Sequence, residues 1–272
     1  MDAWGCSIDF ARRGLERGAV RRKGKSPSRT PLERWNLHAI AGDAVQNTSR
    51  AADVHGGGEA VRSAGGQRLT AAGTASAADV LRQNIQGSIE THARFMEACL
   101  PALTKAAEAL ATAYLSGHKA LFFGNGGSAA DAQHLAAEFL GRYLRERDPL
   151  PAIALNTNTS AVTAIGNDYG YEHTFSRQLR ALGVRGDVAV GISTSGNSQN
   201  VVEALKCARE LGLFTIGLTG AAGGKMRGLV DVLIAVPSDE TPRIQECHIL
   251  AGHALCDAVE GAVVASQPPS KK

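Results

Sequence analysis

From Ala120 onward, short apolar runs alternate with longer segments that carry apolar residues at three- and four-residue steps. The short runs have strand length, and they predict strands at Ala120–Phe123, Ala152–Leu155, Val188–Ile192, Thr215–Leu218 and Val232–Val236. The stepped segments predict helices at Ala129–Leu144, Ser160–Ile165, Glu172–Leu182, Asn200–Leu211 and Pro242–Val264, with a short piece after Gly224. Uniformly apolar strands are buried on both faces, so this alternation predicts an α/β domain with a doubly wound, five-stranded parallel sheet flanked by helices.

A helical pattern also precedes the first strand, from Ala77 to about Ser116. Pro101 lies inside it, and proline lacks the N–H of a helical turn, so we expect Pro101 to divide two helices. The apolar residues of this lead-in fall on more than one face, which favours packing against both the sheet and a partner subunit. They are Val80, Ile85, Ile89, Phe95, Met96, Leu100 and Leu103.

The first 76 residues differ from the others in composition and charge. They contain 12 Lys or Arg and 7 Asp or Glu, whereas the remaining residues contain 17 and 19. This Arg-, Gly-, Ser- and Ala-rich extension offers little apolar surface, so we predict that residues 1–76 are disordered, that 77–266 form the folded domain and that 267–272 are a flexible tail. Its basic clusters are an alternative signal for binding nucleic-acid phosphates, and an upstream extension of the reading frame without a role is another. We expect no nucleic-acid partner.

Cysteine usage and apolar stretches indicate the compartment. The five cysteines are an odd number without CxxC spacing, and three of them lie in helical patterns beside apolar residues, which predicts reduced thiols. No apolar run reaches about 18 residues, the length that would suggest a membrane span. The N-terminus also lacks the apolar segment of a secretory signal. We therefore expect a cytoplasmic protein with no membrane partner.

Polar loops follow four of the five predicted strands. They are Gly124–Ser128, Asn156–Ser160, Ser193–Ser198 and Thr219–Gly224. Parallel sheets bind ligands beyond the carboxyl ends of their strands, so these loops should lie around one site. The loop Ser193–Ser198 places four hydroxyls and a glycine before a helix start, which predicts a neutral phosphate cradle. Ser, Thr and Asn are also ordinary turn and capping residues, but several such loops at one sheet edge favour a polar ligand.

Two helices carry acid–base and metal-ligand side chains. After the glycine loop, Asp131, His134 and Glu138 are spaced so that they project from one face of a helix. The last helix carries two histidines, His248 and His253, on either side of the direction of Gln245. Spacing alone does not choose between the two histidines, and a single helical histidine is more often a packing or surface residue than a catalytic one.

These motifs, in this order, closely resemble the bacterial phosphoheptose isomerases, which are sugar isomerase (SIS) domain proteins. The matching blocks are Gly124–His134, Glu138, Ala164–Tyr171, Ser193–Ser198 and Arg243–His248, within a likeness that covers about 78–266. The resemblance implies a flavodoxin-like SIS fold. It also implies isomerisation of sedoheptulose 7-phosphate to D-glycero-D-manno-heptose 7-phosphate, which feeds heptose synthesis for lipopolysaccharide or capsule.

The resemblance also implies roles for individual residues. The phosphate would be held by Ser193, Thr194, Ser195 and Ser198, and the sugar by Asn125, Gly126, Gly127, Ser128, Asn167 and Asp168. The metal and acid–base cluster would comprise His134, Glu138, Gln245 and His253, with Glu138 and Gln245 also contacting substrate, and many members of the family bind zinc there. Imidazole and carboxylate are ordinary zinc ligands, whereas an amide oxygen such as that of Gln245 is a weak one.

Isomerisation through an enediol needs one group to move a proton between C1 and C2 and another to move a proton between the oxygens. Glu138 suits the first task and His253 the second, provided that their surroundings bring each pKa toward neutrality. The resemblance further implies a homotetramer with active sites at the subunit interfaces.

A rival interpretation is a non-enzymatic protein of the same fold that regulates replication by binding the initiator protein. The segments Leu150–Thr157 and Leu255–Asp257 resemble that regulator too. As the resemblance has it, the regulator lacks acid–base residues at the positions of Glu138 and His253, and this chain has both. The isomerase is therefore the favoured prediction, with another SIS sugar-phosphate binder as a further alternative.

Overall fold

The computed structural model of the chain describes residues 76–266. The predicted disorder of residues 1–75 and the predicted flexibility of 267–272 lie outside the described residues. Ser76, which the sequence assigned to the extension, is the N-cap of the first helix, and its hydroxyl accepts a hydrogen bond from the backbone N–H of Asp79. Serine is one of the preferred residues at this position because its short side chain satisfies a free N–H of the first turn.

Five parallel strands form one sheet, as the sequence predicted. They are β1 (Ala120–Gly124), β2 (Ala152–Ala154), β3 (Val188–Ile192), β4 (Phe214–Thr219) and β5 (Val232–Ala235). Their order across the sheet is β2-β1-β3-β4-β5, and every neighbouring pair is parallel. The order reverses direction between β1 and β3, and such a switch point is where open α/β sheets bind their ligands.

Within residues 76–266, six α-helices surround the sheet: α1 (Ala77–Leu115), α2 (Gly127–Leu140), α3 (Thr159–Tyr169), α4 (Thr174–Leu182), α5 (Gln199–Leu211) and α6 (Thr241–Ser266). Short 3-10 turns occupy Tyr171–His173 and Gly224–Met226. The prediction that α2 continues to Leu144 was wrong, because the chain leaves the helix at Gly141 and turns back toward α6. The prediction that the third helix ends at Ile165 was also wrong, since α3 reaches Tyr169.

The expected break at Pro101 is absent, and α1 is a single helix of 39 residues. Proline removes one backbone hydrogen bond and destabilises a helix interior by about 3 kcal/mol. Buried side chains on both sides of Pro101 offset that cost, among them Phe95 and Cys99 before it and Ala106 and Leu110 after it. Packing against the rest of the domain therefore keeps α1 continuous.

The sheet is buried on both faces. Phe122, Val190 and Ile216 point into the apolar layer under α1, α2 and α6. Leu121 and Ala189 point to the opposite layer, under α4 and α5. This alternation between neighbouring residues explains why every strand appears in the sequence as a continuous apolar run.

The last helix, α6, is long and apolar enough to cross a membrane by length and composition alone. In the structure it packs against α1 and α2, and the side chains of Arg243, His248 and Glu260 are buried within the domain. Its apolar character is that of a core helix. Four of the five cysteines lie within the described residues, where they are buried and free of disulfides, as the sequence predicted: Cys99, Cys207, Cys247 and Cys256.

Candidate active site

Two of the predicted ligand loops leave the sheet at its switch point. Gly124 at the end of β1 pairs with Ile192 at the end of β3, so the glycine loop and the loop Ser193–Ser198 leave the sheet side by side. The first loop runs directly into α2 and the second into α5. A ligand at this edge can therefore contact both loops and the first turns of both helices.

Two histidines and a glutamate converge where α2 packs against α6. The Nε2 atoms of His134 and His253 lie 2.9 Å apart, and His134 Nε2 lies 3.5 Å from Glu138 Oε1. One ligand atom from each of the three side chains lies within 4.8 Å of the others. The side chains of His134 and Glu138 are 48% and 23% exposed, so solutes can reach the cluster.

Close packing of α2 against α6 brings these side chains together. A Cβ atom added to Gly252 would overlap the side chain of Leu135, so the two helices approach each other where Gly252 has no side chain. His253 follows Gly252 and His134 precedes Leu135, so the same close contact places the two histidines side by side. The pairing depends on a contact between helices that are more than 100 residues apart in the chain.

The arrangement can hold a divalent metal ion. Zinc binds imidazole nitrogen at about 2.0–2.1 Å, which separates two tetrahedral ligands by about 3.3 Å. The observed separations of 2.9 and 3.5 Å bracket that value. The fourth predicted ligand is placed differently, because the Gln245 amide lies against Gly127, two turns before His134 on α2. The structure thus brings three of the four predicted ligands together, and the role of Gln245 stays a prediction.

Asp131 shares the helix face of His134 but is not part of this cluster. One of its carboxylate oxygens is buried and accepts no hydrogen bond from the described residues. Burial raises the pKa of Asp131, and the nearby His134 only partly opposes that shift. Its proximity to His134 makes it part of the electrostatic surroundings of the candidate site.

The structure distinguishes the two histidines of α6. The His248 side chain is completely buried, and its Nε2 lies 3.3 Å from the carbonyl oxygen of Thr219. Burial lowers the pKa of His248 to about 4, although the hydrogen bond to Thr219 acts in the opposite direction. His248 is therefore a neutral core residue, and His253 is the histidine of the cluster.

We expect His248 to make the fold sensitive to acid. Its folded-state pKa of about 4 lies below the ordinary value of about 6.5, so the unfolded chain binds the proton more tightly. Its contribution to stability is complete above pH about 6.5 and is lost as the pH falls toward 4, amounting to about 2 kcal/mol between pH 7 and 5. Urea unfolding at pH 7 and at pH 5 should show a smaller decrease in the free energy of unfolding for His248→Gln, whose side chain does not titrate, than for the wild type. Equal losses would contradict this assignment.

The hydroxyls of three serines in the loop after β3 lie close together. Ser193 Oγ lies 2.9 Å from Ser198 Oγ and 3.5 Å from Ser195 Oγ. The Ser198 hydroxyl makes no capping bond to α5, although Ser198 is the N-cap residue. Thr194 and Ser195 line an adjoining cavity of about 270 Å³. The other residues that line this cavity come from the loop after β4 and from the start of α6 and the segment before it. The clustered serine hydroxyls lie directly before α5, where hydroxyls and free N–H groups can bind an anion.

Gly196 allows this loop to form. Its φ of +66° is a conformation that L side chains rarely adopt, and a Cβ atom there would collide with the backbone of Gly223. The loop after β4 supports the serine loop from the other side, because the N–H of Gly220 donates to the carbonyl of Thr194. Two of the predicted polar loops, Ser193–Ser198 and Thr219–Gly224, are thus hydrogen-bonded to each other.

The remaining predicted substrate residues lie at the start of α2 and at the end of α3. Ser128 is buried in the first turn of α2, and Gly127 borders the Gln245 amide. Asn167 and Asp168 lie in the last turn of α3, where the Asn167 amide donates to the Asp168 carboxylate at 2.8 Å. Apart from this bond to each other, the two side chains hydrogen-bond no predicted site residue within the described part of the chain.

Asn125 has partners that the sequence analysis missed. Its side chain exchanges two hydrogen bonds with Asn200 in the first turn of α5, and it accepts a third from the hydroxyl of Tyr171. The block Ala164–Tyr171 contained Tyr171, but no spacing rule connects it or Asn200 with the glycine loop. The approach of three separate segments creates this network.

A buried ion pair connects α6 to the segment that follows α2, and the sequence analysis missed it as well. Glu260 on α6 accepts backbone hydrogen bonds from Tyr143, Leu144 and Arg145 and pairs with the buried Arg147 at 3.1 Å. Burial would raise the pKa of Glu260, but these N–H groups and Arg147 together hold it below its usual range. The Tyr143 ring stacks on His253 with centroids 5.5 Å apart.

Comparisons with known proteins agree with the geometry. A sequence profile of the SIS domain matches residues 85–220. The chain is 59% identical over 165 residues to a phosphoheptose isomerase of Rhodospirillum rubrum, which covers 61% of this chain and 88% of that relative. It is 52% identical over 187 residues to one of Aneurinibacillus thermoaerophilus, covering 68% of this chain and 94% of that relative.

The fold is also similar to that of a solved relative. The structure of a phosphoheptose isomerase from Neisseria gonorrhoeae superimposes with a TM-score of 0.65 and 47% identity, over 68% of this chain and 100% of the other. A second, from Francisella tularensis, gives a TM-score of 0.67 and 37% identity, over 69% of this chain and 100% of the other. The chain therefore belongs to the phosphoheptose isomerases, aldose–ketose sugar-phosphate isomerases built on the SIS domain.

Proposed function

We propose that this chain interconverts sedoheptulose 7-phosphate and D-glycero-D-manno-heptose 7-phosphate in the cytoplasm, and that residues 77–266 form the isomerase domain. The observation that carries the proposal is the convergence of Glu138, His134 and His253. Two of these residues lie on α2, the helix that begins at the same edge of the sheet as the hydroxyl-rich loop Ser193–Ser198. The loop supplies donors for a phosphate, and the cluster supplies the acid and base that isomerisation requires.

Proton transfer is assigned to Glu138 and His253. In the direction from ketose to aldose, Glu138 removes a proton from C1, and the C1–C2 bond becomes double as electrons move to the C2 oxygen. His253 supplies the proton that this oxygen takes, which completes the enediol. Glu138 then returns its proton to C2, and the O1 proton passes back to His253 as the aldehyde forms. Each group ends in its starting state.

His134, Glu138 and His253 would hold a zinc ion, with Gln245 proposed as a fourth ligand. Zinc bound there would polarise the substrate carbonyl. Two imidazole nitrogens and a carboxylate oxygen within 4.8 Å of one another support this assignment, because these are ordinary zinc ligands. Glu138 and His253 are proposed both as metal ligands and as proton-transfer groups, so metal binding and proton transfer need separate tests.

Turnover of sedoheptulose 7-phosphate by the purified chain tests the proposal directly. Appearance of the aldose can be followed by coupled reduction or by NMR of the anomeric protons. A chain that forms no aldose would contradict the proposal. Binding to a replication initiator without any turnover would favour the regulatory alternative instead.

The serine loop should affect affinity more than turnover. Both substrate and product carry the phosphate, and contacts that are equal in ground state and transition state do not change the chemical barrier. Each hydrogen bond to a charged group contributes about 1.5–3 kcal/mol, so Ser195→Ala or Ser198→Ala should raise KM more than it lowers kcat. Steady-state kinetics measures both constants. An unchanged KM with a collapsed kcat would show that the loop acts on the reacting carbons instead.

We also propose that the chain assembles as a homotetramer with its active sites near subunit interfaces. Support comes from α1, where several large apolar side chains are more than half exposed in the single chain: Leu81, Ile85, Ile89, Met96 and Leu100. Contiguous exposed apolar surface is typical of an interaction site. Light scattering coupled to gel filtration should give four times the chain mass, and the mass of a single chain would contradict the proposal.

A further inference from the structure

The orientation of the Asn125 side chain can be derived from a backbone group. The N–H of Val201 donates to Asn200 Oδ1 at 3.0 Å, so this atom of Asn200 must be the oxygen. Asn125 therefore presents its amide nitrogen to that oxygen, at 2.8 Å. In return, Asn200 Nδ2 donates to Asn125 Oδ1 at 2.9 Å. The reciprocal pair has only one arrangement that satisfies the Val201 N–H.

Tyr171 completes the arrangement. Its hydroxyl donates to Asn125 Oδ1 at 3.0 Å, so that oxygen accepts two hydrogen bonds, from Asn200 and from Tyr171. A carbonyl oxygen has two lone pairs, and both are now in use. The Asn125 nitrogen has two hydrogens, and only one of them is bonded to a described residue. What Asn125 retains for a ligand is one N–H donor.

Asn125 lies where such a donor would meet a ligand. It directly follows β1 at the switch point of the sheet, and its partner Asn200 is two residues beyond Ser198 of the hydroxyl loop. Tyr171 reaches it from the 3-10 turn between α3 and α4. The side chain of Tyr171 is largely exposed, so its hydroxyl contributes more to the orientation of Asn125 than to the core.

We propose that Tyr171 is a positioning residue that, together with Asn200, holds Asn125 as an obligatory hydrogen-bond donor to an oxygen atom of the sugar phosphate. This inference rests on the proposed function and extends it, because it selects ligands that place an acceptor opposite Asn125. Tyr171 acts through Asn125 and need not touch the substrate itself.

The test is a double-mutant cycle with kinetics on sedoheptulose 7-phosphate. Tyr171→Phe removes only the hydroxyl, and loss of one neutral hydrogen bond should raise KM by about two- to tenfold while kcat stays within about twofold. In an Asn125→Ala background the same change should alter KM by less than about twofold, since the group that it positions is gone. Tyr169→Phe is the matched control. Tyr169 is similarly exposed, and its hydroxyl makes no hydrogen bond to the described residues.

Two results would overturn the inference while leaving the isomerase assignment intact. One is a KM for Tyr171→Phe equal to that of Tyr169→Phe. The other is an equal effect of Tyr171→Phe with and without Asn125, which would mean that the hydroxyl acts independently of Asn125. A wild-type chain without turnover would instead overturn the proposed function, and the inference with it. If Asn125→Ala lowers the melting temperature strongly, the comparison of the two phenylalanine variants still decides the outcome.

Discussion

Replacing Glu138 with glutamine is expected to lower kcat by at least about two orders of magnitude, the effect typical of losing a general base. Glutamine has nearly the same size and can remain beside His134, where the Glu138 carboxylate lies at 3.5 Å. It cannot accept a proton from C1, so the enediol does not form at the normal rate. The measurement is kcat for sedoheptulose 7-phosphate, together with calorimetric titration to confirm that the variant still binds substrate.

A matched control is Glu210→Gln. Glu210 lies on the exposed side of α5, where it pairs with Arg180 at 2.8 Å. It has no role in the proposed proton transfer. Exposed ion pairs contribute little to stability, so this variant should retain wild-type kinetics. If Glu138→Gln turned over at the rate of the control, the base would have to be another residue.

Removing both histidines of the cluster is expected to abolish metal binding. His134 and His253 supply two of the three converging ligand atoms, and one carboxylate alone does not hold zinc at micromolar protein concentration. Purified wild-type chain should contain a divalent metal, with zinc as the expected ion, near stoichiometry. The variant His134→Ala with His253→Ala should contain almost none. Elemental analysis after dialysis measures both.

The matched control replaces His92 and His173, two histidines outside the cluster, with alanine in the same chain. Its metal content should equal that of the wild type. Equal metal content in the cluster variant would place the ion elsewhere. A wild-type preparation that is free of metal and fully active would show that acid–base chemistry alone sustains turnover.

Much of the fold could be predicted from local patterns. The strands are buried on both faces, so each appears as an apolar run, and the predicted bounds differ from the observed ones by at most one residue at each end. Helix ends were less predictable. Gly141 ends α2 because Glu260 on α6 binds the backbone of the next residues, and nothing near Gly141 in the sequence reveals that partner. The predicted helix break at Pro101 was wrong because the rule for proline considers only the local backbone and not the buried side chains that pack before and after it.

The sequence by itself determined the order of the elements, the polar loops at the strand ends and the set of candidate acid, base and ligand residues, because these depend on residue type and short spacing. Only the tertiary structure decided that His253 meets His134 while His248 is buried, since that outcome depends on where Gly252 lets α6 approach α2. It likewise decided the orientation of Asn125, which depends on Asn200 and Tyr171 from distant segments. Spacing along a helix limits which side chains share a face, but contacts between separate segments determine which of them share a site.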